Sequence, residues 1–256
     1  MSLKIFDSHS HYTDSAFDAD RYELLTRILN DNVGAIMLAG TNVADSLASQ
    51  KLALEFDGVY SSVGIHPEFA SQTEGDYISA LEEISRCPKV KAVGEIGLDY
   101  HYPGYDEKLQ KKLFESQLEL AKSLDMPVII HSRDACADTF DILRRYRPKG
   151  VVHCFSGSKE TAAEAIKLGM YIGLTGVVTF KNARKAREVA ESIPLDKLLI
   201  ETDCPYMAPE PWRSKRCDSS MLVSVASKIA EIRGISVENV INATSENAFK
   251  LYQINK

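Results

Sequence analysis

Eight short runs rich in valine and isoleucine recur along the chain at intervals of roughly 30 residues: "LKIF", "GAIMLAG", "VYSSVGI", "VKAVGEIGL", "PVIIHS", "GVVHCFSG", "YIGLTGVV" and "KLLIET". Between them lie charged segments with helical spacing, such as "RYELLTRILND", "VADSLASQKLALEF" and "YISALEEISR". The clearest is "DEKLQKKLFESQLELAKSL", where Leu109, Leu113, Leu118, Leu120 and Leu124 mark one apolar stripe. Near-continuous apolar strands alternating with amphipathic helices require a parallel sheet covered by helices. Eight such units favour an α/β fold of the closed (β/α)₈, or TIM, barrel type over an open doubly wound sheet. The tail, "MLVSVASKIAEIRG" followed by "SVENVINATSENAFKLYQ", reads as two closing helices separated by Gly234. No Pro/Ser-rich linker divides the chain, so residues 1–256 are expected to form a single domain.

Composition removes several classes of function. A net charge of −6 is unsuited to non-specific grip on a long duplex, although it allows a local basic pocket for a few phosphates. No apolar run approaches the roughly 18 residues that suggest a membrane span, and no charged-then-apolar leader opens the chain. Five cysteines without regular spacing point to reduced thiols rather than a disulfide framework, hence to the cytoplasm. No obligate protein partner is evident.

Barrel enzymes keep their chemistry at the C-terminal ends of the strands. His9 and His11 end the first run, His66 the third, His131 the fifth and His153 the sixth, while Glu95 lies near the end of the fourth and Asp203 closes the eighth. Only His101, of the six histidines, falls in a loop. Neutral imidazoles and carboxylates are the usual ligands of zinc or manganese, and a carboxylate can bridge two ions. Strand alternation lets Asp7, His9 and His11 share one face, and it places Glu201 inward below Asp203, suited to orienting a ligand. Four histidines and two carboxylates suffice for a pair of divalent ions about 3.5–4 Å apart.

Each residue also has a structural reading. Glu95 could pair with an arginine, and Asp203 before Cys204-Pro205 could shape a turn. His66, followed by proline, suits substrate contact or structure equally, whereas His101 suits a loop or rim. Cys154 and Cys204 should face away from the ligands as packing residues. What favours a metal site is that six ligand-type side chains converge on one rim.

"FDSHSH", "GEIGLDY", "PVIIHSRDA", "HCFSG" and "IETDCPYMAP" resemble, in order and spacing, the motifs of the TatD family of metal-dependent deoxyribonucleases in the amidohydrolase superfamily. The likeness runs from the N-terminus to the closing "NAFKL". It implies a dinuclear site, with His9, His11 and Asp203 on one ion, His131 and His153 on the other, and Glu95 between them. By the same resemblance Asp203 and Glu95 are catalytic, Asp203 orienting or deprotonating the attacking water. The implied activity is hydrolysis of phosphodiester bonds, in particular 3′→5′ exonuclease action on single-stranded DNA or RNA ends. The implied cofactors are two divalent ions: magnesium by the family, zinc by the histidine content, or manganese.

A phosphate substrate is also suggested by the residues themselves. Lys181, Arg184, Lys185 and Arg187 follow the seventh run, and Arg213, Lys215 and Arg216 follow the eighth, where barrel enzymes often bind phosphate. Trp212 suits stacking on an unpaired base, and Arg133, two residues beyond His131, suits bidentate grip of a phosphate. Cys204 stands where the family commonly has serine, and Ser214 and Cys217 replace a glycine and an asparagine. The alternative function is another hydrolase of the superfamily, cleaving an amide, lactone or aminoacyl ester of a small molecule or tRNA. Such relatives often bridge their metals with a carboxylated lysine, but the fourth run offers only Lys91, at its start. A barrel holding metal for structure alone is the non-enzymatic option.

Overall fold

The computed structural model describes residues 4–255. Its strands are β1 (Ile5–Ser10), β2 (Val33–Leu38), β3 (Val59–Val63), β4 (Val90–Asp99), β5 (Val128–Arg133), β6 (Gly150–Val152), β7 (Tyr171–Leu174) and β8 (Leu198–Ile200). They pair in sequence order, every pair parallel, in one eight-stranded sheet that curls into a nearly closed barrel. The α-helices are α1 (Arg21–Asn30), α2 (Val43–Leu54), α3 (Tyr77–Ser85), α4 (Glu107–Ser123), α5 (Cys136–Tyr146), α6 (Lys159–Lys167), α7 (Arg184–Ser192), α8 (Leu222–Arg233) and α9 (Val237–Leu251). The (β/α)₈ architecture expected from the alternating pattern is the one observed. Among the described residues no helix is long and apolar enough to cross a membrane.

Helix α4 shows how the pattern becomes packing. Asp106 caps it by accepting the Leu109 N–H at 3.0 Å, and Lys111 pairs with Glu107 one turn away at 2.7 Å. Leu113, Phe114, Leu118 and Leu120 are buried against the sheet, with Leu109 and Leu124 half-buried at the edges of the stripe. Each large apolar side chain so buried contributes about 1.5–3 kcal/mol. A second apolar layer fills the barrel interior, with Phe6, Met37, Ala92, Ile129, Val151 and Leu199 supplied by different strands.

Closure between β8 and β1 is made in a different way from the other seven pairings. At the lower end α9 spans the gap. Ser245 Oγ accepts the Phe6 N–H at 3.0 Å, Tyr252 donates to the Ser8 carbonyl at 3.0 Å, and Asn247 donates to the carbonyls of Leu195 and Leu198 at 2.8 Å. Midway, side chains replace the ladder. The Asp7 carboxylate accepts the backbone N–H of Thr202 at 3.0 Å and its hydroxyl at 2.6 Å, while Ser8 donates to the Ile200 carbonyl at 3.2 Å. At the upper end two backbone bonds finish the seam: Asp203 N–H to the His9 carbonyl at 3.0 Å, and His11 N–H to the Cys204 carbonyl at 2.9 Å.

Asp7 also accepts the Ser219 hydroxyl at 2.6 Å, so it ties the loop after β8 to β1 as well. Replacing it strands several buried donors at once. Asp7→Ala is expected to lower unfolding free energy by about 3 kcal/mol in urea melts, with an unchanged m-value. A midpoint equal to wild type would show that the seam does not depend on this carboxylate.

Candidate metal centre

Strand β4 carries the central group. Its pairing with β5 steps from Val93↔Val128 to Ile96↔Ile130, so Gly94 and Glu95 together face the single residue Ile129. The extra residue is a bulge, which re-aims the side chain it carries. Ile96 and Leu98 continue into the outer core, while Glu95 and Asp99 turn toward the mouth of the barrel. Gly97, with φ of 148°, is required here, because a Cβ at that position would lie 1.9 Å from the His131 carbonyl oxygen.

Glu95 is 3% exposed, and the ring nitrogens of five histidines surround its carboxylate. Oε2 lies 3.3 Å from His9 Nε2 and 3.6 Å from His11 Nε2. Oε1 lies 2.8 Å from His131 Nδ1, 2.7 Å from His153 Nε2 and 3.6 Å from His66 Nε2. Asp203 Oδ1 stands 3.3 Å from His11 Nε2 and 3.6 Å from His9 Nε2. The six expected ligands thus meet in two groups that share Glu95: His9, His11 and Asp203 on one side, His131 and His153 on the other.

This donor set fits divalent ions. The Nε2 atoms of His9 and His11 face each other at 3.0 Å, a distance at which two lone pairs need a proton or a cation between them. With Glu95 Oε2 and Asp203 Oδ1 they give separations of 3.0–3.6 Å. A tetrahedron of ligands roughly 2.1 Å from a central ion has edges of about 3.4 Å. His131 Nδ1, His153 Nε2 and Glu95 Oε1 form a second cluster of donor atoms, 2.7–3.3 Å apart.

Behind the ligands stand groups that aim them. Glu201 is fully buried; it accepts the Cys154 N–H at 2.5 Å and the Ser8 hydroxyl at 3.1 Å, and its Oε1 lies 3.6 Å from His153 Nδ1. Gly173 in β7 leaves room for it, since a Cβ there would approach its Oε2 to 2.4 Å. Asp203 and Cys154, each placed beside a ligand or acting as one, have left-handed backbones with φ of 57° and 43°. Aspartate tolerates that region better than most residues. Asp99, a residue the sequence reading passed over, lies 3.1 Å from His131 Nε2. Its signal was its position four residues after Glu95 on one strand, but "GLDY" also suits a turn.

The charges in this pocket hold one another in place. Burial would raise the Glu95 carboxyl, but the charge of His153 and the hydrogen bond to His131 outweigh it and hold it well below the usual range. Burial likewise opposes protonation of His153, His11 and His131, yet the neighbouring carboxylates win and raise all three. His9 goes the other way, because burial and the nearby His153 keep it neutral. Burial depresses His66 to about 3.

The chain matches the family model described as TatD related DNase over residues 6–253. The chain belongs to the TatD-related DNase family. A Bacillus subtilis relative named uncharacterized metal-dependent hydrolase YabD is 39% identical over 254 residues, covering 98% of this chain and 100% of that protein. A Citrobacter koseri relative named 3′-5′ ssDNA/RNA exonuclease TatD is 35% identical, covering 98% of this chain and 99% of that protein. The crystal structure of YjjV, a TatD homologue from Escherichia coli K12, superposes with a TM-score of 0.93 at 31% identity, with 98% of each chain covered. This TatD-family chain is accordingly a metal-dependent hydrolase.

Around the TatD-type centre the expected substrate residues take different positions. His66 lies at the centre itself, three residues beyond β3, where it caps the 3₁₀ helix Pro67–Gln72 by accepting the Glu68 N–H through Nδ1 at 3.2 Å. Arg133 ends β5 and stacks over Tyr102, its guanidinium 5.2 Å from the ring centre. Arg213 lies 4.3 Å over Phe180, beside a cleft of about 490 Å³ also lined by Lys181, Asn182 and Glu210. Trp212 is 44% exposed on the same loop. Two expected phosphate groups are engaged elsewhere. Arg216 forms a bidentate pair with Asp20 at 2.6 and 2.8 Å, and Arg187 donates to the carbonyls of Phe180 and Val178. Both guanidiniums are used to hold loops in place. Cys204 is fully buried among packing residues and Cys154 half-buried, and burial raises both thiols, Cys154 to about 12.

Because His11, His131 and His153 hold protons above the ordinary imidazole range, an incoming ion must displace them. Metal affinity is therefore expected to fall as pH is lowered and to rise with pH. Calorimetry at pH 7 in two buffers of different protonation enthalpy should show on the order of one proton released per ion. Binding indifferent to both buffer and pH would contradict this ligand set.

Proposed function

We propose that this TatD-family hydrolase cleaves phosphodiester bonds, removing nucleotides from the 3′ ends of single-stranded DNA or RNA in the cytoplasm. The observation that carries the proposal is the meeting of four histidines, Glu95 and Asp203 in one pocket, under loops that bear basic and aromatic side chains. In this reading His9, His11 and Asp203 hold one divalent ion, His131 and His153 the other, and Glu95 is shared by both; magnesium, manganese and zinc are the candidates. When bound, such ions supply Lewis-acid polarisation of a phosphoryl oxygen and a nucleophile available near neutral pH.

The chain's own groups do the remaining work. Asp203 is held anionic below the usual carboxylate range because, against burial, the His11 hydrogen bond and the charge of His153 win. It is therefore a base placed to orient and accept the proton of an attacking water. His66 is neutral, and because Nδ1 accepts a backbone N–H, its Nε2 carries the proton. That N–H points toward Glu95 and serves as a donor to a phosphoryl or leaving oxygen.

The rim suits an unpaired strand. Tyr102, Tyr105, Tyr206 and Trp212 are exposed on the loops after β4 and β8, although large apolar side chains normally seek burial. With Arg133, Lys181 and Arg213 beside them, they offer stacking surfaces and phosphate partners, the usual means of holding single strands. Among the described residues a carboxylated-lysine bridge, which would favour the amide or ester alternative, has no candidate at the centre: Lys91 stands at the start of β4, four residues before Glu95.

Oligonucleotides labelled at either end, incubated with Mg²⁺ or Mn²⁺, test the proposal. Expected is stepwise loss from the 3′ end, reduced by about 100-fold or more in Asp203→Ala. Trp212→Ala is expected to raise KM about 5- to 100-fold with little change in kcat, as loss of one base stack implies. Wild-type product patterns no different from those of Asp203→Ala would refute a nuclease.

A further inference from the structure

Asp99 lies outside the six-ligand set, yet it is buried and aimed into the centre. Its Oδ2 is 3.1 Å from His131 Nε2, while His131 Nδ1 faces Glu95 Oε1 at 2.8 Å and His153 Nε2 at 3.3 Å. An imidazole that gives one nitrogen to a metal carries its proton on the other, and that N–H needs an acceptor. We propose that Asp99 is a positioning residue, which accepts the His131 Nε2–H and thereby turns the Nδ1 lone pair toward the ion shared with His153 and Glu95. The inference rests on the metal reading above.

The position of Asp99 is itself set by α4. Gln110, buried on the inner face of that helix, accepts the Asp99 N–H through Oε1 and donates Nε2–H to the Asp99 carbonyl, both at 2.9 Å. A primary amide is the side-chain group that can satisfy both backbone polar groups of one residue at once. The second carboxylate oxygen of Asp99 accepts the His101 N–H at 2.9 Å. Two helical turns further along the same face, Gln117 repeats the clamp on Ile65, accepting its N–H at 2.7 Å and donating to its carbonyl at 3.1 Å. One helix thus fixes the backbone at Asp99 and the backbone immediately before His66.

A rival use of these side chains is a third cation between His66, Asp99 and His131, whose ligand-type atoms lie within 4.8 Å of one another. The hydrogen bonds argue against it. His66 spends its Nδ1 lone pair on Glu68, which leaves a proton on the nitrogen facing the site, and His131 Nε2 is already opposed by Asp99. Two of the three candidate donors have no lone pair to offer.

The test uses the full chain loaded with Zn²⁺, with histidine ¹⁵N-labelled. Expected is a metal-bound Nδ1 and a protonated, hydrogen-bonded Nε2 on His131. Asp99→Ala should remove that Nε2–H signal and weaken the His131-containing half-site about 10- to 100-fold, with the His9/His11/Asp203 half-site changed by less than about threefold. Asp99→Asn, which keeps a carbonyl acceptor and the Gln110 clamp, should restore part of the loss. It also serves if the alanine variant folds poorly. Asp134→Asn, at an exposed carboxylate bonded to His101, is the control and should change neither readout. His131 bound through Nε2, or undiminished zinc affinity in Asp99→Ala, overturns the role of Asp99 alone. Wild-type protein that binds no zinc overturns the metal reading and this one with it.

Discussion

One buried carboxylate organises the mouth of this barrel. Glu95 is almost wholly removed from water, and an isolated carboxylate in such a place would be prohibitively costly. It is tolerated because His9, His11, His66, His131 and His153, from four separate segments, bring ring nitrogens within 3.6 Å. The same pairing explains why most of those imidazoles resist deprotonation when no ion is present. A divalent cation can take the place of those protons as the positive charge beside Glu95. The β4 bulge makes this geometry possible, because strict alternation would have sent either Glu95 or the outward apolar residues after it to the wrong face.

Much of this was readable before any coordinates. Apolar runs and amphipathic segments specify the strand–helix alternation because burial on both faces of a parallel sheet leaves little choice of residue. Ligand-type residues at the ends of those runs stand out because the runs are otherwise so apolar. What was hidden depends on exact registers and on partners far away in sequence. The hydrogen-bonded strands are shorter than the apolar runs, so His66, His153 and Asp203 sit in the turns beyond β3, β6 and β8 rather than within them. The acceptor role of Asp99 carries no signal in a linear pattern, because it exists only once β4 and β5 are aligned. Arg187 and Arg216 looked like free charge, since loop carbonyls and Asp20 leave no trace in a linear pattern.

The centre and its surroundings divide the work between rigid and adaptable parts. Ligands ride on strand ends held by backbone ladders, the α4 amides and the Asp7 and Glu201 networks, so their geometry is fixed before anything binds. The exposed tyrosines, Trp212 and the cations near them stand on longer loops, where a chain of varying sequence can be accommodated by stacking and charge. The centre is thus held rigidly while the loops around it keep room to adjust.

The seam between β8 and β1 has a consequence for when the protein becomes active. His9 and Asp203 are joined across it, and the nearby Asp7 and Thr202 that reinforce it are 195 residues apart. His9 and His11 have no opposing aspartate, and β1 no cover at its lower end, until β8 and α9 have folded against it. Without β8 the sheet stays open and Asp203 is missing from the expected ligand set. The centre is therefore assembled only when the barrel is closed.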